Sequence, residues 1–414
     1  MSKNEKRIIF LTPQLPFPPT SGGTIKSYKL IEYLSENYNL FLISLLKSND
    51  EIENSSFFIS RFEKNLLGYK FFPIPEHSYK RNVKNLLKSY IKRIPLTVYR
   101  NYIPDVTKFI ANLLEHEKFN VIFVDHYIIF HMIINLHNLI RDKKIKILLH
   151  EHNAEYILWE RYSATEKNIL KKILTKIEAV RIRRYEKYIC ELSDKILCVS
   201  SNDIENLKKL GIQNNKIDLI MSVGDDNLLN KPDLNFNECE NSILFIGTLS
   251  WEANLDGLIW FLEQGWNILK NKIPDVKFYI VGKNPPDKLL KVVKRDKDVI
   301  LTGFVEDLEE YYRKSKVFIS PLRFGSGIKI KNINAMYRGI PLVTTSIGIE
   351  GINGMDGIHF MVADDINNFI DKIHALMTRK ELWEKISYAA RRLMREEYTW
   401  EKSLSKLKEI IDQC

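Results

Sequence analysis

Residues 321–345 read PLRFGSGIKIKNINAMYRGIPLVTT. An apolar segment ends at Leu322, a Gly-Ser-Gly turn follows, and Lys329 and Lys331 stand on alternate positions. A helix-like run comes next, then the apolar strand PLVTT. Strand, glycine turn, helix, strand is the grammar of a parallel α/β unit, in which crossover helices join buried strands. Glycines permit positive φ and close backbone approach. The first amides of the helix lack intrahelical acceptors and carry partial positive charge, a suitable seat for phosphate. On these residues alone the turn reads either as a phosphate cradle or as a plain strand–helix connection. GxxxxGK[ST] is absent, and GxGxxG fails because Lys329 and Ile330 occupy the place of its third glycine.

Outward from this stretch the same grammar repeats. Short apolar runs at 7–12, 39–46, 120–125, 144–150 and 195–200 alternate with helical patterns, as do runs at 242–247, 276–282, 299–303, 317–322, 341–345 and 360–363. Near-continuous apolar strands imply sheets covered on both faces. The polar segment NKPDLNFNECEN, 230–241, reads as a linker. The expected architecture is α/β, with two consecutive doubly wound units, 1–229 and 242–395, and a final segment, 396–414. Ligands in such sheets bind beyond the carboxyl ends of the strands, so a cleft between the units is the expected site.

The chain has 414 residues, 45% hydrophobic and 28% charged, with 62 basic and 52 acidic residues. This is the profile of a globular protein. Cys190, Cys198, Cys239 and Cys414 show no CxxC spacing, which argues against a disulfide framework or zinc site. The apolar run near the N-terminus is too short for a signal-peptide core, and no stretch is long enough to span a bilayer. A cytoplasmic location is expected. Charge is uneven: from His77 to Pro104 there are seven Lys or Arg and no acid. Val83, Leu86, Leu87, Tyr90, Ile91 and Ile94 recur there at helical spacing, the pattern of a helix lying on an anionic membrane or of an ordinary basic surface helix. A second basic stretch, 166–189, reads as a long amphipathic helix on the flank of its domain. No helix-turn-helix, zinc-finger or RNA-binding signature accompanies the charge, so a nucleic-acid module is disfavoured.

Several segments resemble, in the same order, motifs of the retaining GT-B-fold glycosyltransferases of family 4 (glycosyl transferases group 1). They are FIGTLSWEANLDGLIWFLEQ (245–264), PDVKFYIVGKNPP (274–286), VILTGFVEDLEEYYRKSKVFISPLRFGSGIKIK (299–331) and AMYRGIPLVTTSIGIEGI (335–352). In the first half, TPQLPFPPTSGGTIKSYKLIEYL (12–34) resembles the family's opening loop and HEHNAEYILWERY (150–162) the HNxE segment of a polysaccharide-synthesis branch. CVSSNDIENLKKLG (198–211) and YTWEKSLSKLKEII (398–411) complete the resemblance, the latter resembling a terminal helix that returns to the first domain.

The resemblance implies transfer of a hexose-type sugar from a nucleoside-diphosphate donor to a surface glycan, lipid-linked, with retention, no metal and no cofactor. It places the donor diphosphate on Gly325, Ser326, Gly327 and Lys329, with Arg323 and Lys331 as further cations. The base lies beside Phe304 and Val305. Ser326 and Asn334 stand where relatives carry two glutamates, and Asn334 is expected at the donor ribose. Thr248 and Ala253 replace an Arg and a Lys usual in relatives, while Trp251, Asn254 and Asp256 are expected to shape the site. Glu350 reads as a donor-sugar contact or a turn cap. On the acceptor side stand Gly22, Gly23, Lys26 and Glu155, the last also a possible partner of Arg161. His152 is the expected catalytic residue, with His150 as alternative. No carboxylate nucleophile is expected. The unusual Asn334 leaves open a second reading, a weakened or inactive relative serving as a sugar-nucleotide-binding or scaffold protein. A sugar-nucleotide epimerase of the same fold is a third.

Overall fold

The computed structural model describes residues 4–19, 22–74, 79–166, 168–325 and 327–414. It divides into two compact units, residues 1–221 with 403–414, and residues 222–402. The division falls at Met221, ahead of the 230–241 stretch read as linker. Residues 222–241 pack with the second unit because specific side chains hold them there: Arg391 donates to the carbonyls of Leu229 and Lys231, and Arg338 to that of Pro232.

The first unit is a seven-stranded parallel sheet of β1 (Asn4–Thr12), β2 (Tyr38–Leu46), β3 (Leu66–Pro73), β4 (Val121–Asp125), β5 (Lys146–Glu151), β6 (Lys195–Cys198) and β7 (Ile217–Leu219). Its order is β3-β2-β1-β4-β5-β6-β7. Strand direction explains the apolar runs. Ile9, Leu11, Ile122, Val124, Ile147 and Leu149 face one core, while Ile8, Phe10, Val121, Phe123 and Leu148 face the other. Alternate side chains point to opposite faces, so a strand covered on both sides must be apolar throughout. Each such fully buried side chain contributes roughly 1.5–3 kcal/mol by leaving water. The edge strand β3 and the three-residue β7 were not foreseen. Both are short or half-exposed, and LLGYKFFP carries a glycine and a lysine that break the apolar signal.

The C-terminal helix, Trp400–Asp412, places Leu407, Ile410 and Ile411 in the second of these cores. Lys6 donates to the carbonyls of Ile411 and Asp412, satisfying acceptors that the helix end leaves open.

The second unit is a six-stranded parallel sheet of β8 (Glu240–Ile246), β9 (Lys277–Val281), β10 (Val299–Gly303), β11 (Ser315–Ser320), β12 (Leu342–Thr344) and β13 (Met361–Val362). Its order is β10-β9-β8-β11-β12-β13. In both sheets the order reverses once, between β1 and β4 in the first and between β8 and β11 in the second. Crossover helices leave opposite faces at such a reversal, so the loops there part and leave a crevice.

Candidate functional site

Each reversal point holds a polar cluster. In the second unit it is the opening turn. Gly325 and Gly327 adopt φ of +137° and +69°, conformations that L side chains rarely tolerate. They turn the chain from β11 into the helix Ile330–Arg338, whose N-terminus has no side-chain cap. Ser326 lies outside the described residues.

Lys329 is buried, and its Nζ donates to the Gly327 carbonyl at 2.7 Å. The Glu350 carboxylate lies 3.9 Å from the same ammonium, so Glu350 stands beside the turn. Lys331 points inward as well. Its Nζ donates to Asn254 Oδ1 at 2.6 Å and sits 4.1 Å from the Phe245 ring. Burial, and after it the Lys329 charge, pushes the Lys331 ammonium well below the usual lysine range. Two ammonium groups forced together in a desolvated corner are an unfavourable arrangement that a bound anion relieves. Asn254 also donates to the Thr248 carbonyl at 2.8 Å. One amide thereby ties the loop after β8 to the helix after β11, and this is what the asparagine of LSWEANLDG does.

Other expected donor residues fall as follows. Thr248 is exposed on the loop after β8, and Val305 follows β10 beside Phe304. The Phe304 ring is 66% exposed, a bare aromatic face at the carboxyl end of a strand. Arg323, expected as a further cation, pairs with Asp256: its Nε and Nη2 donate to the carboxylate at 2.8 and 2.6 Å. Such a bidentate pair fixes the direction of the guanidinium.

Asn334, expected at the donor ribose, accepts the Asp225 amide on its Oδ1 at 2.9 Å. A Cβ at Gly224 would lie 1.9 Å from that oxygen, so the segment entering this unit passes directly over it. This bond makes Asn334 an anchor for that segment.

In the first unit the hub is Asp125, an acid closing the apolar strand β4. It is 1% exposed and accepts four hydrogen bonds. Thr12 Oγ1 and Ser27 Oγ reach Oδ2 at 3.0 and 2.5 Å. His150 Nδ1 and His152 Nε2 reach Oδ1 at 2.7 and 2.8 Å. Burial alone would raise the carboxyl, but the charge of His152 and hydrogen bonds from both histidines hold it well below the usual range. A carboxylate accepts only, so both bonding ring nitrogens carry protons. In its singly protonated form the His152 ring therefore keeps an acceptor lone pair on Nδ1. That atom faces the first turn of helix Gly22–Asn37, where a Cβ on Gly23 would lie 3.5 Å away. Gly22 and Gly23 bring backbone next to the histidine.

His150 is fully buried, with Nε2 lacking a partner, and burial lowers its pKa to about 3. It is a neutral strut rather than the reacting group. Asp125, His150 and His152 bring their ligating atoms within 4.8 Å of one another, a spacing a metal ion could use and one the sequence did not suggest. The four donors already on Asp125 account for its charge without one.

Lys26, expected on the acceptor side, has a buried Nζ that donates to the Ile220 carbonyl at 2.6 Å. Burial lowers its pKa to about 7 against the opposing charge of Asp125. It braces the segment after β7. Glu155 opens helix Glu155–Thr165, with its carboxylate 3.6 Å from His126 Nε2 and its pKa raised to about 7 by burial. Sequence reasoning missed Asp125, although a lone acid ending a buried strand was the available signal.

Among the described residues, no helix is long and apolar enough to cross a membrane.

Two parallel-sheet units, each with a polar cluster at its reversal point, define the two-domain GT-B class. Residues 71–221 match the family model "Glycosyltransferase Family 4", and residues 240–379 match "Glycosyl transferases group 1". An uncharacterized 44.6 kDa protein in the cps region of Klebsiella pneumoniae is 26% identical over 410 residues, covering 97% of this chain and 98% of that one. Anabaena HepE, solved with UDP and glucose, superposes with a TM-score of 0.66 at 12% identity, covering 99% of this chain and 100% of HepE. A variant of TarM from S. aureus, solved with fondaparinux, alpha-GlcNAc-glycerol and UDP, gives 0.68 at 13% identity, covering 98% and 99%. With glycosyltransferase domains matched over most of its length, the chain is a glycosyltransferase of GT-B architecture.

Proposed function

We propose that the protein transfers a hexose-type sugar from a nucleoside-diphosphate donor to a growing surface polysaccharide, the acceptor being lipid-linked and the anomeric configuration retained. The observation that carries this reading is the corner around Gly327. A glycine turn, an uncapped helix start, the buried Lys329 and the half-buried Lys331 converge at a sheet reversal.

A departing diphosphate needs preorganised positive charge where its own charge develops. Lys329, Lys331 and the first amides of helix Ile330–Arg338 supply it. Phe304 offers a platform for the base, and Glu350 a partner for a sugar hydroxyl. In the first unit His152, held by Asp125, presents an acceptor nitrogen to a hydroxyl of the transferred sugar or of the acceptor. Gly22, Gly23 and Glu155 line the acceptor side. The ammonium groups take the part that a divalent cation plays elsewhere, so the reaction is read as metal-independent. HepE and TarM were solved with UDP, and the Klebsiella relative lies in a cps region, which supports a nucleotide donor and a polysaccharide product. A cytoplasmic location, where nucleotide sugars are made, goes with this chemistry.

The test is a thermal-shift series with UDP, GDP, ADP and CMP on the full chain, followed by transfer from the matching nucleotide sugars. A true donor nucleotide at a hundred times its Kd stabilises by about 2.7 kcal/mol. The anomeric proton coupling of the first-formed product reads retention. If no nucleotide shifts the melting curve, the donor reading is lost.

A further inference from the structure

The long helix Ile169–Leu192 changes character halfway. Its second half is ordinary core, with Ile182, Ile189 and Cys190 fully buried. Its first half turns apolar side chains to solvent: Ile169 is 75% exposed, with Leu170, Ile173 and Leu174 all more than half exposed. No acid occurs from Ile169 to Ile177, and Lys171, Lys172 and Lys176 are exposed between the apolar residues. A helix with this composition gains nothing from water along its apolar side.

The helix Tyr79–Ile91 repeats the pattern. Leu87 is 61% and Ile91 80% exposed, with Lys88 and Lys92 exposed beside them. The side chain of Val83 lies outside those described. The two helices are fastened together. Arg181, at the middle of the longer helix, donates to the Ser89 carbonyl at 2.6 Å, also bonds the Ile94 carbonyl, and lies 4.2 Å from the Tyr90 ring. Glu178 accepts the Leu96 amide and pairs with Arg181 at 2.8 Å. On the longer helix Arg181 follows Ile177, Leu174 and Leu170 at helical spacing, so the clasp lies in line with the apolar stripe.

We propose that the first half of helix Ile169–Leu192, together with helix Tyr79–Ile91, docks the protein on an anionic lipid bilayer, the apolar crest entering the headgroup boundary and the lysines meeting lipid phosphates. Charge decides between occupants. A second copy packed on this face would set the same acid-free, cationic segments against each other, a like-charge contact that is costly. A bilayer offers apolar depth and negative charge at once. The sequence places the longer helix on the domain flank as an amphipathic helix. Its unpaired apolar face became visible only in the folded chain.

The experiment uses the full protein and sedimentation with vesicles of phosphatidylcholine alone or mixed with phosphatidylglycerol. The wild type is expected to pellet with the mixed vesicles and to stay in solution with phosphatidylcholine alone. Leu170→Ser with Ile173→Ser should lower the partition constant at least about tenfold. Replacing Lys171, Lys172 and Lys176 by Gln should lower it roughly fivefold for each lysine removed. All these side chains are exposed, so circular dichroism and melting should match the wild type. Intact wild type that ignores mixed vesicles, or serine variants that bind them fully, overturns the proposal. So does a dimer in analytical ultracentrifugation that the serine variants dissolve, since the face would then join two copies. The readout is lipid binding, so its failure leaves the reading of sugar transfer untouched.

Discussion

His152 donates its Nε2 proton to Asp125 Oδ1 across 2.8 Å, and this bond fixes which nitrogen faces out. The tautomer follows from the carboxylate, because Asp125 can only accept. His152→Ala removes one of the four bonds to the ionised Asp125 and should cost about 1.5–3 kcal/mol of stability, while slowing sugar transfer about 10²-fold or more. Asp125→Asn removes the charge that all four donors share, with about 1.5–3 kcal/mol at stake for each bond to the ionised group. Melting and transfer rate together separate the two: the aspartate variant should show the larger loss of stability. A histidine variant with unchanged rate would remove His152 from the chemistry.

Lys331 makes a prediction of opposite signs. Its buried ammonium is unfavourable in the empty site and useful to a diphosphate. Lys331→Met should therefore leave the unliganded protein as stable as the wild type or more so. Nucleotide affinity should fall about 10- to 100-fold, the range of one charge-assisted hydrogen bond. Calorimetric titration of UDP into both proteins checks the affinity, and denaturant unfolding checks the stability.

Asn334 distinguishes an anchor from a ribose ligand. Asn334→Ala leaves the Asp225 amide without its acceptor and should cost about 1–3 kcal/mol of stability. The Kd for a bound nucleotide should change less than about threefold, because the loss of an anchor acts on folding rather than on the ligand. Asn334→Glu should be worse for stability, since Gly224 leaves no room for the longer side chain. A large loss of affinity with normal unfolding in the alanine variant would restore the ribose role.

Glu151 should leave a signature in pH. Both carboxylate oxygens are buried without a partner, and burial, then Glu186, raises its pKa well above the usual range. A carboxyl raised on folding holds its proton in the folded chain after the unfolded chain has lost it. Its stabilising effect is complete below the unfolded value and declines as pH climbs toward the folded one. Glu186, raised to about 8, acts in the same direction, whereas the buried neutral His150 acts in the opposite direction below neutrality. Comparison with Glu151→Gln cancels these other groups. The glutamine variant should melt close to the wild type at pH 4.5 and increasingly above it toward pH 8. A constant difference across that span would mean that Glu151 is not held protonated.

Much of the fold is legible from local chemistry. The runs RIIFLT, NVIFVD and VFISPL could be nothing but buried strands, and the glycines at 325 and 327 mark a turn whatever surrounds them. Periodicity is a short-range property, so these segments declare themselves. LLGYKFFP does not, because an edge strand needs only one neighbour and tolerates a glycine and a lysine. The polar residues of the candidate sites do not declare themselves in this way. Arg323, Lys26 and Asn334 have the right chemistry and the right place in the chain, but each is already engaged, by Asp256, the Ile220 carbonyl and the Asp225 amide.

By itself the sequence determined two apolar-stranded α/β units, a basic balance and a glycine–lysine corner, because strand burial, turn geometry and charge are written residue by residue. Only the tertiary structure decided which polar groups remain available. Asp125 gathers Thr12 and His150 from two different strands, Ser27 from a helix and His152 from the loop after β5, and Asn254 meets Lys331 across 77 positions of chain. A hydrogen bond between residues so far apart depends on the path of the whole backbone, and no local pattern records that path.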